Sequence, residues 1–496
     1  MRRILRRIGV RQYTGSAGIK GERGLKKRTV SILLAAVMVS AALAGCGTSE
    51  GDGNESGSAS ASSEGTAAET AESTADETTA DSGTVLNIQC WNDEFRTLLE
   101  EHYPGYERVD DTTGKIGEVT VRFVITPTDD NAYQNNLDSV LKGNADAGEE
   151  NKVDLFLVDA DCAVKYANAD ANYAMKLSDL GITDEDLAQQ YTYTKDLVTD
   201  SNGDIRGAAW EACSAGLIYN RAIAKTVLGS DDPSVVQEAV KDWESLAQTA
   251  TALKASGYSI TASANDMYLA YVGGRSAAWV DDSGSVQVDE SLQQWAESSK
   301  ALVDAKETGT SILWSDEWNK GFYEDTPVFA YLGSDWMIQS AMHAEEEDSI
   351  ASNGGWGLTE GPQSYYWGGT WILAATGTDN PNLVKNIILT LTTDAEVMKE
   401  IAVSDAESVN NKEVLAELAE DESAGWEILG GQNPYSVFAA NAETVDVSDR
   451  TVYDEGCTEQ FQLAMKSYLD GNASYEEALQ QFYEAIAEQY PELTTK

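Results

Sequence analysis

Hydrophobic and polar positions along the 496-residue chain fall into three regimes. Residues 29–46 form an uncharged apolar run, TVSILLAAVMVSAALAGC, and residues 47–83 contain no aromatic or large aliphatic side chain. From Thr84 onward, short apolar runs alternate with stretches of helical period. Residues 85–90 (VLNIQC) read as a strand, 93–103 as a helix, 119–125 (VTVRFVI) as a strand, 131–143 as a helix and 153–158 (VDLFLV) as a strand. Strands alternating with helices predict βαβ units and a mostly parallel sheet. Further on, Asp242 predicts the cap of a helix over 243–256 that Gly257 closes. Asp281 to Gly284 read as a hairpin turn, 328–336 as a strand running into a helix, and 370–375 as a strand. The chain from Pro381 to Pro491 shows helical spacing throughout, with one amphipathic helix over 475–490 after Gly471 to Ser474. No period of 20–50 residues repeats.

The first regime is basic on its N-terminal side, with Lys26, Lys27 and Arg28, and ends in Leu43-Ala44-Gly45-Cys46. A basic segment, a short apolar run and small residues at the end describe an export signal, and the run is short for a bilayer span. The second regime cannot bury enough surface to offset its ordering entropy, which predicts a disordered, self-repelling tether. Its 37 residues span roughly 35 Å as a random coil. The body, 84–496, is too long for one ordinary core and suits two lobes.

Composition narrows the function classes. The chain has 34 Lys and Arg against 83 Asp and Glu; the first 45 residues hold ten of the basic and one of the acidic side chains, leaving 24 against 82, a formal charge of −58. Such a surface repels nucleic-acid phosphates and anionic headgroups. Beyond Cys46, Cys90, Cys162, Cys213 and Cys457 are widely spaced with no CxxC pair, so no metal site is expected. Disulfides are permitted without being required, Cys90 with Cys162 being the first pair to inspect. Two histidines, His102 and His343, exclude zinc-protease patterns, and His102 reads as the surface side of a helix end.

Three local patterns invite chemistry and fall short of it. Residues 212–216 (ACSAG) lack the first glycine of a nucleophile elbow, so Ser214 reads as packing. Asp200, Asn202, Asp204 and Glu211 have the spacing of a calcium loop but place Ile205 where glycine is required, and a hairpin turn accounts for them better. No phosphate-binding glycine motif occurs, so no nucleotide cofactor is expected.

The aromatic signal is stronger. All twelve tryptophans lie in the body, and Trp91, Trp210, Trp279, Trp314, Trp336, Trp367 and Trp371 sit in or beside segments rich in Gly, Ser, Asp or Asn. Trp243, Trp295 and Trp426 read as core. Indoles cover the apolar face of a sugar while carboxylates and amides take its hydroxyls. Polar residues also cluster where the first strands end: 91–94, 129–131 and 159–161. In such sheets ligands bind beyond the carboxyl ends of the strands, although Asp and Asn serve there equally well as helix caps.

Taken together these features resemble the solute-binding proteins of carbohydrate ABC importers, in the maltose-binding-like group. The motifs that carry the resemblance are LNIQCW, YPGY at 103–106, VDLFLVDAD, GAAWEACSAGLIYNR at 207–221, DWESLAQTATALKASGY, GSDWMI, GGTWILAATGTDNPNL and GGQNPYSVF. Cys46 in turn resembles the cysteine of a bacterial lipobox, which implies cleavage before it and lipid on its sulfur, with residues 1–45 a lipoprotein leader and 46–83 the lipidated cysteine and its tether. The resemblance implies an α/β, two-lobe periplasmic-binding-protein-like fold of type II. Lobe one would take about 84–204 and 368–406, and lobe two about 205–366 and 409–496. It implies a non-catalytic, monomeric receptor without cofactor or metal, anchored by lipid alone on the outer face of the cytoplasmic membrane. Such a receptor captures a sugar or oligosaccharide by cleft closure and delivers it to permease subunits. By position in the family pattern, Trp91, Asp129, Asp159, Asp161, Glu211, Trp279, Asp335, Trp336, Trp367 and Trp371 fall where ligand contacts occur. The insertion DDTTGKIGE at 110–118 departs from the pattern. A peptide, polyamine or metal ion bound by the same fold, and a secreted glycoside hydrolase, are the alternatives.

Overall fold

The computed structural model describes residues 80–496. The leader, Cys46 and the tether up to residue 79 lie outside the described residues. At the start of the described chain the Asp81 carboxylate accepts the backbone N–H groups of Asn382 (2.7 Å) and Leu383 (3.1 Å), and the Ser82 and Gly83 N–H groups donate to Asp379 O. The two bonds to Asp81 satisfy N–H groups that the first turn of helix Pro381–Thr392 leaves open. The chain is therefore fastened to the body from Asp81, two residues ahead of the tether boundary expected at 83.

Twelve strands are described: β1 Val85–Cys90, β2 Tyr106–Arg108, β3 Thr113–Ile116, β4 Val119–Ile125, β5 Leu155–Asp159, β6 Ala208–Ala209, β7 Ser214–Asn220, β8 Ser259–Thr261, β9 Val328–Ser334, β10 Trp356–Thr359, β11 Tyr365–Tyr366 and β12 Thr370–Ala374. They form two sheets. The first runs β2-β3-β4-β1-β5-β12-β6, and the second runs β10-β7-β9-β8 with β11 also paired to β7. Strands β1, β7, β9 and β12 are buried along their whole length, as expected of strands covered on both faces. Parallel pairing is confined to the neighbours β4, β1 and β5 in the first sheet and to β8 with β9 in the second, so the expectation of a mostly parallel sheet holds only in part. Strand β12 arrives from the second sheet and runs antiparallel to β5, and most pairs of the second sheet are antiparallel. The insertion at 110–118 contributes β3 and the turn of a hairpin with β2, extending the edge of the first sheet opposite β12 and β6.

Two hydrophobic clusters fill the body. One runs through the first lobe and onto one face of the second sheet, including Ile218, Tyr331, Trp356 and Phe438. The other packs the opposite face of that sheet, with Leu217, Tyr219 and Phe329, under the helices around Trp295, Phe461 and Phe482. Adjacent residues such as Leu217 and Ile218 enter different cores because successive strand side chains point to opposite faces. Helices form where the local signals place them. Asp242 accepts Ser245 N at the start of Trp243–Ala255, Gly257 follows at φ +90°, and Ser474 and Glu477 form a reciprocal capping box at the start of Tyr475–Gln489.

Cys90, Cys162, Cys213 and Cys457 are free, buried thiols. His102 is buried rather than on the surface, its Nε2 3.1 Å from Asp405 Oδ2. Asp200 anchors a tight turn, accepting from Asn202 N, Asp204 N and Arg206 Nε at 2.7–3.0 Å. Its oxygens are thereby engaged within the turn. Ser214 is buried and donates to Phe438 O.

Candidate functional site

The chain passes between the two sheets three times. The first crossing, 210–213, links β6 of the first sheet to β7 of the second. The second, 367–369, links β11 to β12, and the third, 405–411, follows helix Ala395–Ser404. They are hydrogen-bonded to one another: Ala212 N donates to Ser408 O (2.7 Å), Asn410 N to Trp210 O (2.8 Å) and Trp367 N to Cys213 O (3.0 Å). Glu211 and Val409 form an antiparallel bridge.

Beside these crossings three half-buried indoles form an aromatic wall. Trp336 and Trp367 have ring centroids 5.2 Å apart, and Trp314 lies 5.8 Å from Trp336 and 5.7 Å from Trp367. The wall is built from separate elements. Trp336 lies in helix Asp335–Ser340 at the end of β9, Trp367 lies on the second crossing, and Trp314 precedes helix Asp316–Asn319. Trp336 Nε1 donates to Trp367 O at 2.8 Å. At Gly368, φ is +79° and a Cβ would stand 3.0 Å from that indole nitrogen, so glycine allows the close approach. Trp314 itself holds φ +68°, an uncommon conformation for a bulky residue. Below it Trp318 is fully buried, 4.7 Å away, with Nε1 donating to Asp266 Oδ1 at 2.7 Å.

The first lobe supplies the ends of its parallel strands. Trp91 follows β1 and packs edge-on against Tyr133 at 5.5 Å. The Tyr133 hydroxyl donates to Gln89 O (3.0 Å) and Leu157 O (2.7 Å), tying the ends of β1 and β5 together. Asp159 ends β5 and caps helix Ala160–Tyr166 by accepting Asp161 N at 3.1 Å. Asp161 and Asp129 are exposed. Burial raises the Tyr366 hydroxyl, with Arg450 opposing and Asp161 adding to it, so Asp161 of the first lobe bears on a tyrosine of the second. Tyr366 stacks on Tyr193 at 5.5 Å, and the Arg450 guanidinium lies 5.6 Å from its ring centre. Arg275 holds the neighbouring segment through Asp449 (2.6 Å) and Asp454 (2.5 Å). Gln134 Nε2 meets Glu455 Oε1 at 3.3 Å, so the lobes also touch away from the crossings.

At the crossings themselves the side chains are acidic. Glu211 is buried and accepts from Cys213 Sγ at 3.2 Å and from Thr370. Burial, followed by the charges of Glu94 and Asp335, pushes its carboxyl up to about 8. Glu407 accepts Trp210 Nε1 at 3.2 Å and is held well above the usual carboxylate range by burial and then Glu211. Asp335 accepts Ser408 N and is raised to about 6 by burial.

The structure thus brings Trp91, Asp159, Asp161, Glu211, Asp335, Trp336 and Trp367 to the facing ends of the lobes or to the crossings, and leaves Asp129 in an exposed turn. Two expected contacts go elsewhere. Trp279 is buried 5.3 Å from Phe461 and 5.4 Å from Phe482, in the core behind the second sheet. Trp371 is fully buried and donates from Nε1 to Thr194 O (2.7 Å), because its place on β12 turns the ring into the first lobe. Trp314, Tyr366, Glu407 and Arg450 join the site without having been assigned to it. Of these only Trp314 carried a sequence signal, as a tryptophan in a polar loop.

The same fold occurs in solved structures. An extracellular solute-binding protein of family 1 superposes with a TM-score of 0.65 at 19% identity, covering 81% of this chain and 99% of the other. The fold is that of the two-lobe solute-binding proteins. The galacto-N-biose/lacto-N-biose I-binding protein of an ABC transporter from Bifidobacterium longum, in complex with lacto-N-biose, gives 0.61 at 13% identity, covering 84% and 100%. A transporter-associated binding protein from B. animalis subsp. lactis, in complex with β-1,6-galactobiose, gives 0.57 at 16%, covering 84% and 100%. No protein-family model and no curated protein matches the chain. Among the described residues, two groups could offer three metal ligands: Glu101 with His102 and Asp405, and His343 with Glu345 and Glu346. His102 Nε2 and Asp405 already face each other at hydrogen-bond distance, and the glutamates of the second group are exposed. No helix of the described chain is long and apolar enough to cross a membrane.

Proposed function

We propose that this chain is a non-catalytic, monomeric receptor for a sugar or oligosaccharide, held outside the cell by lipid on Cys46 and serving an ABC permease. The observation that carries the reading is the wall of Trp314, Trp336 and Trp367 beside buried carboxylates, at the place where three crossings join two lobes. Half-exposed indoles offer apolar faces that suit pyranose rings, and the aspartates at the strand ends accept hydrogen bonds from hydroxyls. The solved relatives in fold that carry lacto-N-biose and galactobiose support the ligand class. Residues 1–45 act as the leader, and the acidic tether gives the body reach from the membrane. Ligand favours the closed arrangement by its greater affinity for it.

A panel of mono- and oligosaccharides tests the reading. Binding of the right sugar changes tryptophan fluorescence and raises the melting temperature. A panel without any shift at millimolar concentration overturns the sugar assignment, and a shift with a polyamine or peptide replaces it. Release of product from an oligosaccharide would establish catalysis instead.

A further inference from the structure

Burial sorts the twelve tryptophans of the body into those with a face to offer and those without. Eight are buried side chains of the two hydrophobic clusters. Trp243, half-buried at the start of helix Trp243–Ala255, lies face to face on Tyr271 with ring centroids 3.7 Å apart, against the cluster behind the second sheet. Only Trp314, Trp336 and Trp367 remain, and they are the three that stand together beside the crossings.

Their spacing decides how much they can cover. Each centroid lies 5.2–5.8 Å from both of the others, which is the separation of aromatic rings packed against one another. The planes of Trp336 and Trp367 meet at 77°, so the edge of one indole is spent on the face of the other. Trp314 is tilted by 32° from Trp336 and by 47° from Trp367, and Trp318 closes its underside at 4.7 Å. Stacking platforms for successive rings of a sugar chain would each need a clear face of their own. Here three indoles leave one continuous apolar corner. Its shape is held from behind, because Trp367 O accepts both Trp336 Nε1 (2.8 Å) and Ser334 Oγ (3.3 Å). The aromatic ring nearest in sequence, Tyr366, is already engaged by Tyr193 (5.5 Å, 29° between planes) and by the Arg450 guanidinium (5.6 Å).

We propose that the corner of Trp314, Trp336 and Trp367 seats a single sugar ring, so that the ligand is a mono- or disaccharide and further rings of a longer chain find no stacking partner. This inference rests on the sugar-receptor reading above and narrows it to short ligands. Apolar contact then comes from one compact site on the second lobe, and the facing strand ends of the first lobe supply the polar contacts that tell one sugar from another.

Two homologous series serve as probes: glucose through maltotetraose, and galactose through the β-1,6-linked galactotetraose. Calorimetric titration of the full chain should show, in the series that binds, an affinity that stays within about threefold from two units to four. Trp336→Ala should weaken every member that binds by the same factor, about tenfold, because each member stacks the same ring. Affinity that keeps rising by more than about threefold with each unit beyond two overturns the inference. A loss in Trp336→Ala that grows with chain length does so as well, and the wild-type series decides the matter even if that variant folds poorly. Binding that climbs with length removes the inference and leaves a sugar receptor standing. A chain that binds no member of either series fails as a receptor for both sugar classes, and the inference falls with it.

Discussion

Trp336 and Trp279 have the same chemistry and opposite fates. Replacing Trp336 by Ala removes one ring of the half-buried wall and its bond to Trp367 O. Sugar affinity is expected to fall about tenfold, equivalent to about 1.4 kcal/mol, with the melting temperature little changed; titration of intrinsic fluorescence and a thermal melt check both halves. Trp279→Ala opens a cavity between Phe461 and Phe482, and should cost about 3–5 kcal/mol of stability in urea unfolding. In the sequence both tryptophans stand among Gly, Ser, Asp and Ala, and that polarity marks a loop without saying which way the ring turns. Trp371 shows the same limit on a strand that is buried along its whole length. Glu407 carried no signal, because its importance comes from Trp210 and Glu211, almost two hundred residues earlier in the chain.

Elements were legible where their causes are local. Helix Tyr475–Gln489 begins at a capping box because the Ser474 hydroxyl and the Glu477 carboxylate serve each other's backbone N–H groups within four residues. Ser474→Ala should therefore cost about 1 kcal/mol and speed amide exchange in the first turn of that helix while leaving exchange in β1 and β5 unaltered; equal acceleration everywhere would contradict a local cap. The same locality explains why the helix after Asp242, the strand into helix at 328–336 and the turn at 281–284 match expectation. Strand β12 shows what escapes such reading. Its direction relative to β5 depends on where the chain comes from, and a sequence window of five residues does not contain that information. The hairpin of β2 and β3 was legible only as an insertion, since its strands are three and four residues long and mostly polar.

At the scale of the molecule, address and architecture separate. If Cys46 carries the anchor, Cys46→Ala in the producing cell should move the receptor from the membrane fraction to the medium and abolish fatty-acid labelling; retention with label would place the lipid elsewhere. The acidic excess of the body gives it no affinity for anionic headgroups, so no secondary attachment should mask the effect. The body itself is joined through three crossings whose mutual hydrogen bonds link residues as distant in sequence as Ala212 and Ser408. By itself the sequence determined what depends on short stretches: the leader pattern, the tether composition, the caps, the strand and helix periods, and the supply of aromatics and acids. Only the tertiary structure decided which tryptophans share a wall, that the four cysteines of the body are free and buried, and that Glu407 accepts from Trp210 where the crossings meet. Those outcomes depend on burial and on distances between segments far apart in the chain, and such distances exist only once the two sheets have packed.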